Sequence, residues 1–340
     1  MGIEKAQLFF GEFIGEPVQD LVLLAQSGSA RKNFVGQTAD KKYIITSNGN
    51  VAENESFFYF STLFSALKLN TPEILKISDD RKMYVQEFLG AQTLSEIIAD
   101  EGINARTKAL VKQTITKLAE LQRKTQNEVD YTKTFEYEKY DSLPITNDLF
   151  YFKSFVADVL EIPYHKSSLL KEFRKLTEQL EDLGPQGLMI RDFQSRNIIV
   201  NERDEVFFID YQSAMQGPLM YDVVSFLFQA KANFPKQFKE EMLGYYLSLW
   251  DDEAEIAQLK HSVEPLQLIR YLQVLGAYGF RGLIQNKTHF IASLANGIEN
   301  INNFAKSWAA MDEFPELKKI IVELRTEEVK EKIKKIVLNH

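Results

Sequence analysis

The stretch "LMIRDFQSRNIIVNERDEVFFIDYQ", Leu188 to Gln212, decides how this chain is read. Two apolar, β-prone runs, Asn197 to Val200 and Val206 to Ile209, flank the polar "NERDE", a pattern that predicts a β-hairpin. Asp192 lies just before the first strand, Asn197 opens it, and Asp210 follows the second. A hairpin brings its outer ends together, so these three polar groups should converge. An Asp-x4-Asn pair alone carries little information, since about one is expected by chance in a chain of this length. The second Asp, at the far end of the hairpin, makes the pair informative.

Working outward, the chain has 340 residues, more than a typical single domain, which suits one large or two tightly joined units. A hydrophobic fraction of 45% and a charged fraction of 26% are those of a globular protein with a sizeable core. The formal charge of −8 and pI of about 5.3 favour neither nucleic acid nor an anionic membrane as partner, although a local basic pocket remains compatible. There is no cysteine, so disulfides and thiol chemistry are excluded. The first 25 residues are too often interrupted by Glu, Gly and Pro to resemble a signal peptide, and no run approaches the roughly 18 apolar residues that span a bilayer. The expected location is therefore cytoplasmic. His165, His261, His289 and His340 show no ligand spacing, which argues against a zinc site or a serine-hydrolase triad. Chemistry must rest on carboxylates, amides and cations.

The first ninety residues hold short strand candidates separated by turn chemistry, such as the two runs in "NFVGQTADKKYIIT" and the run "RKMYVQEFL" ended by Gly90. Between them "ENESFFYFSTLFSAL" carries a helical pattern, with Phe57, Phe60, Leu63 and Phe64 on one face. From Thr93 onward helical patterns dominate, interrupted by the hairpin. The fold class expected is α+β and bilobal: a small β-rich lobe over residues 1–90 and a larger, mainly helical lobe over 91–340. The C-terminal "ELKKIIVELRTEEVKEKIKKIVLNH" reads as one amphipathic helix, and the acidic "DDEAE" (Asp251 to Glu255) as a loop.

Phosphoryl transfer needs a carboxylate to orient and deprotonate the attacking hydroxyl, and oxygen ligands to hold Mg²⁺ against phosphates. The hairpin supplies that set. The stretch resembles the catalytic loop and metal-binding segment of the protein-kinase-like fold, in the form used by aminoglycoside phosphotransferases and choline kinases. The resemblance implies an ATP- and Mg²⁺-dependent phosphotransferase, with Asp192 as catalytic base and Asn197 and Asp210 as metal ligands. Ile190 stands where the family usually has His, and Tyr211-Gln212 where protein kinases have Phe-Gly.

Other segments extend the resemblance over most of the chain. "QSGSARKNFVG" (Gln26 to Gly36) falls where the family covers the phosphates, with Ser27, Gly28 and Ser29 small enough for a close backbone approach; a plain turn fits the same residues. Glu87 and Leu89, in "QEFLG", match the hinge that binds the adenine edge. Asp222, in "YDVVSFL", matches the acid that buttresses the catalytic loop. One departure is clear. The third strand should carry a Lys toward the α and β phosphates, yet "KKYIITSNG" offers Ile45 or Thr46 there. Arg31, or secondarily Lys32, is the expected substitute cation, with Glu55, and Glu53 second, as its partner acid; a solvated first helical turn explains either acid equally well.

Asp222 follows Asp210 by only twelve positions, too few for the activation segment that docks a polypeptide, so a small-molecule hydroxyl acceptor is expected and no protein substrate. The loop "RDFQSRN" and the segment "IDYQSAMQGPLMYD" are closest to bacterial kinases that phosphorylate the anomeric hydroxyl of N-acetylmuramate and N-acetylglucosamine. Arg196 and Gln212 would then border the acceptor. Arg270 and Arg281, on a predicted helix, fall within about 20° of one face, and Arg281 is the proposed contact across the cleft. Two other readings stay open: a phosphotransferase for aminoglycosides or other small alcohols, and a nucleotide-binding pseudokinase, for which the missing Lys argues.

Overall fold

The computed structural model describes residues 3–18, 21–25, 31–229 and 232–338. They cluster into two compact units, Met1–Glu138 with Leu188–Met215, and Lys139–Gly187 with Gln216–His340. This partition differs from a cut at Gly90, because the first unit takes in two helices beyond Gly90 and the hairpin as well as the β-rich segment.

The first unit is built on a five-stranded antiparallel sheet of β1 (Leu21–Leu23), β2 (Lys32–Gln37), β3 (Lys42–Ser47), β4 (Ile74–Ile77) and β5 (Met83–Glu87), in the order β1-β2-β3-β5-β4. Alternation sets its register: Phe34 lies opposite Ile45 and Ile45 opposite Val85, so three buried apolar side chains share one face. Helix α1 (Ile3–Ile14) covers that face with Ala6, Phe9 and Phe10. Helix α2 (Val51–Ala66) starts at Asn50, whose side chain accepts from the Glu53 amide, and buries Phe57, Phe58, Phe60 and Phe64.

The hairpin belongs to this unit. A short strand β6 (Gln92–Thr93) leads into α3 (Leu94–Glu101) and α4 (Ala105–Lys124), and β7 (Gln186–Met189) precedes the hairpin itself, β8 (Ile198–Val200) and β9 (Val206–Phe208). The sheet order is β6-β8-β9, with Ile198 opposite Phe208 and Gln92 opposite Val200. Side-chain amides then fix the hairpin in place. Gln113 of α4 donates to Asp204 O at 2.9 Å and accepts from Val206 N at 2.6 Å. Asn70 behaves as a short mock strand on the outer edge of β9, accepting from Phe208 N at 2.8 Å through its carbonyl and donating to Val206 O at 3.1 Å. These bonds satisfy edge groups that would otherwise be open.

Gly90 is where β5 hands over to this smaller sheet. A Cβ there would lie 2.5 Å from Val200 O and 3.1 Å from Ile199 Cγ2. Backbone cannot yield as a flexible side chain can, so Gly90→Ala should destabilise the protein by about 1–3 kcal/mol, read as a lower urea midpoint. An unchanged midpoint would show that the β6–β8 pairing tolerates the shift.

The second unit is helical: α5 (Ser142–Phe152), α6 (Lys166–Glu181), α7 (Met220–Leu227), α8 (Lys236–Leu247), α9 (Glu253–Tyr278), α10 (Thr288–Ser307), α11 (Pro315–Glu323) and α12 (Glu327–Leu338), with β10 (Met215–Pro218) at its boundary. The expected single C-terminal helix is two, broken at Leu324 to Thr326, where the Thr326 hydroxyl accepts from Val329 N and starts α12. "DDEAE" is not a loop. Asp252 caps α9, accepting from the Ala254 and Glu255 amides, and the acids sit at the positive end of the helix.

Candidate active site

The register of β8 against β9 places Asn197 beside the Ile209–Asp210 end of the hairpin, and Ile209 N donates to Asn197 O at 3.0 Å. A 3₁₀ turn, Ser195–Asn197, turns the chain so that the Asn197 amide points back into the loop. It donates to Asp192 O at 2.9 Å and, more weakly, to Asp210 Oδ2 at 3.4 Å. The structure thus brings Asp192, Asn197 and Asp210 together. Two non-glycine residues at the hairpin's ends, Arg191 and Asp210, hold left-handed backbone at φ 70° and 65°. Such strain persists only where the surroundings over-determine it, and it gathers at functional sites. Arg191 is held by Glu136 at 3.3 Å and by the Tyr137 ring, 5.8 Å below its guanidinium.

The Asp192 carboxylate is oriented from both sides. Gln194 Nε2 donates to Oδ1 at 2.6 Å and Arg196 Nη2 to Oδ2 at 3.1 Å. Gln194 carried no sequence signal, because an amide in an irregular loop has no periodicity to betray it. Arg196, expected to border an acceptor, pairs with the Asp192 carboxylate.

Arg31 meets the second carboxylate. Its Nη1 lies 3.2 Å from Asp210 Oδ1, and its Nη2 lies 2.5 Å from Glu53 Oε1. Glu53 is steadied in turn by Asn48 Nδ2 at 2.9 Å from Oε2. Burial opposes the charge on Arg31, yet the Asp210 and Glu53 carboxylates hold its pKa above the ordinary value. Burial also pushes the neighbouring Tyr84 up to about 12, so it stays a neutral phenol. The acid assignment is reversed from expectation. Glu55 pairs instead with Arg81, at 2.5 Å to Nε and 2.6 Å to Nη2, on the exposed side of α2. On the third strand, Ile45 is core and Thr46 donates to Asn33 at 2.9 Å, so neither replaces a lysine.

The residues after Asp210 are bolted to α2. Gln212 donates to Asp210 Oδ1 at 3.0 Å, and its carbonyl accepts from Ser56 at 2.8 Å. The Tyr211 ring stacks on Phe57 with centroids 5.0 Å apart, and its hydroxyl bonds Ser61 at 2.7 Å. Gln212, expected at an acceptor, is a nearly buried bridge between α2 and Asp210.

Other expected residues lie elsewhere. Ser27, Gly28 and Ser29 fall outside the described residues. Lys32 opens β2 opposite Ser47. Glu87 ends β5 with its N–H committed to Glu73 O at 3.1 Å, and Leu89 follows in the link to β6. In the second unit, Asp222 is fully buried in the first turn of α7. Arg270 and Arg281 do not lie on one uninterrupted α-helix. α9 passes at Gly279 into a π-helix, Gly279–Ile284, whose wider turn shifts the angular phase. Gly276 and Gly279 let residues 151–156 pack closely here: a Cβ on Gly279 would lie 2.3 Å from Phe155 O. Arg270 is buried beside Gln273 and over the Tyr221 ring, whereas Arg281 lies over Phe290 at 5.1 Å. Among the described residues no helix is long and apolar enough to cross a membrane.

A family model described as the phosphotransferase enzyme family matches residues 15–259. The N-acetylmuramate/N-acetylglucosamine kinase of Neisseria meningitidis serogroup B is 25% identical over 236 residues, 67% of this chain and 66% of that protein, just under two thirds of its length. Among solved structures, choline kinase from Streptococcus pneumoniae superposes with a TM-score of 0.61 at 16% identity, covering 89% of this chain and 100% of that one. A thermostable aminoglycoside phosphotransferase variant, in ternary complex with ADP and hygromycin B, gives 0.60 at 18% identity over 89% and 98% of the two chains. At these identities the solved structures establish a shared fold: a kinase-like one, with an N-terminal antiparallel sheet and a mainly helical remainder.

Proposed function

The chain belongs to the phosphotransferase enzyme family, and from that premise we propose that it is a small-molecule kinase that transfers the γ-phosphate of ATP to the anomeric hydroxyl of an N-acetylated amino sugar. The observation that carries this reading is the gathering of Asp192, Asn197, Asp210 and Arg31 around one end of the hairpin. Residues 1–90 would hold the nucleotide, with Ser27, Gly28 and Ser29 over the phosphates and Glu87 and Leu89 at the adenine edge. Residues 91–340 would carry the catalytic groups and bind the acceptor, with Asp222 as internal support.

The donor set fits Mg²⁺. Asn197 spends its nitrogen on Asp192 O and Asp210, which leaves its carbonyl oxygen to join the Asp210 carboxylate as hard oxygen donors. Among the described residues no three His, Cys, Asp or Glu side chains form a metal cluster. Mg²⁺ is commonly held by one or two carboxylates plus substrate phosphates, and Asp210 with Asn197 suits that mode. When bound, the metal would offset negative charge on the β and γ phosphates. Asp192 would accept the proton of the attacking hydroxyl, with Gln194 and Arg196 fixing the carboxylate's rotation. Arg31 would serve the phosphates in place of the third-strand Lys, with Glu53 as its counter-ion. That pairing also speaks against a pseudokinase, since the cation is supplied by the residue just before β2 rather than lost.

Charge favours the amino sugar over a polycation. Arg31 and Arg196 both reach the catalytic carboxylates, which are already engaged, so a protonated aminoglycoside would meet repulsion at short range. Arg281 is proposed as a further acceptor contact. A coupled assay with Mg·ATP should show turnover of N-acetylglucosamine or N-acetylmuramate and none of kanamycin. Turnover of the aminoglycoside alone would overturn the charge argument.

A further inference from the structure

Arg31 has two tasks that compete, and the competition is written in its two nitrogens. Nη2 is fixed on Glu53, which Asn48 anchors; Nη1 sits on Asp210 Oδ1. That same oxygen also accepts from Gln212, and Oδ2 accepts weakly from Asn197. Protein donors therefore cover the carboxylate that the proposed function assigns to the metal. A guanidinium at 3.2 Å neutralises Asp210 and repels a second cation brought to the same oxygen.

Resting on that assignment, we infer that Arg31 is a positioning residue that guards Asp210: it opposes binding of the divalent cation alone and releases the carboxylate only when nucleotide phosphates draw Nη1 away. The exchange is small. Because Nη2 stays on Glu53, the guanidinium keeps its anchor and changes the partner of one nitrogen, from a carboxylate to a phosphate oxygen that matches the same planar fork. Gln212 stays on Asp210 through the exchange, tied by its carbonyl to Ser56 of α2. Metal and nucleotide then bind with positive coupling, and the coupling is reciprocal. A third-strand lysine, with a single ammonium, has no second nitrogen to remain on its acid while the first changes partner.

The test reads metal binding without turnover. Mn²⁺ is titrated by paramagnetic resonance into the 340-residue chain without nucleotide, comparing wild type, Arg31→Ala, the double variant Arg31→Ala/Glu53→Gln, and each with Asp210→Asn added. The double variant removes both members of the pair, so no anion is left unpaired at Glu53 to weaken folding or capture the metal itself. Mn²⁺ affinity should rise about tenfold in both Arg31 backgrounds, and the gain should vanish with Asp210→Asn. Nucleotide affinity should also respond less to metal in Arg31→Ala than in wild type. Unchanged Mn²⁺ affinity in both Arg31 backgrounds, with binding still abolished by Asp210→Asn, overturns the guard while leaving the phosphotransferase reading intact. Tightening that survives Asp210→Asn places the metal elsewhere and overturns both.

Discussion

Asp192→Asn should lower kcat with the proposed amino-sugar acceptor by about 10²–10⁴-fold while leaving the nucleotide dissociation constant nearly unchanged. The substitution keeps the side chain's shape but removes its capacity to take a proton, and general-base effects appear in the transition state. Part of the loss is orientational. Gln194 and Arg196 both present N–H groups to the Asp192 oxygens, so an Asn amide nitrogen facing either one meets a donor with a donor. Steady-state kinetics with calorimetric nucleotide titration separates the two readouts. A variant that turns over as wild type would remove Asp192 from the chemistry.

Asp210→Ala should act at a different step, weakening Mg²⁺-dependent nucleotide binding by about 100-fold, the scale for truncating one partner of a hydrogen-bonded charge pair. It deprives Arg31, Gln212 and Asn197 of a shared acceptor. Nucleotide titration with and without Mg²⁺ checks it: the metal should strengthen binding in wild type and have little influence in the variant. An undiminished metal effect would mean that Asp210 is not a ligand.

Much of this was legible in the sequence, and the reasons differ residue by residue. The hairpin was readable because two short apolar, β-prone runs flank the polar "NERDE", and the register they adopt puts Asn197 beside the Ile209–Asp210 end. The choice between Glu53 and Glu55 was not readable. Residues two apart lie about 200° apart around a helix, so the faces of α2 are assigned only once its aromatic side is packed. The count that set Arg270 against Arg281 assumed a uniform helix, whereas α9 gives way to a π turn at Gly279 and the two guanidiniums meet different rings. Gly276, Gly279 and Gly282, spaced by three, were the available sign of a close approach. Helix α1 also had a signal, Ala6, Phe9, Phe10 and Phe13 at i, i+3, i+4 and i+7, obscured by Gly11 in its middle. Gln194 and Gln212 had none, since their roles depend on loop geometry.

The position of the transferred phosphate tests the central claim most directly. Wild-type protein incubated with Mg·ATP and N-acetylglucosamine or N-acetylmuramate should give a phosphorus resonance coupled to the anomeric proton, growing in step with ADP. ADP formed without any sugar phosphate, or phosphate found only on a kanamycin-type acceptor, would contradict it.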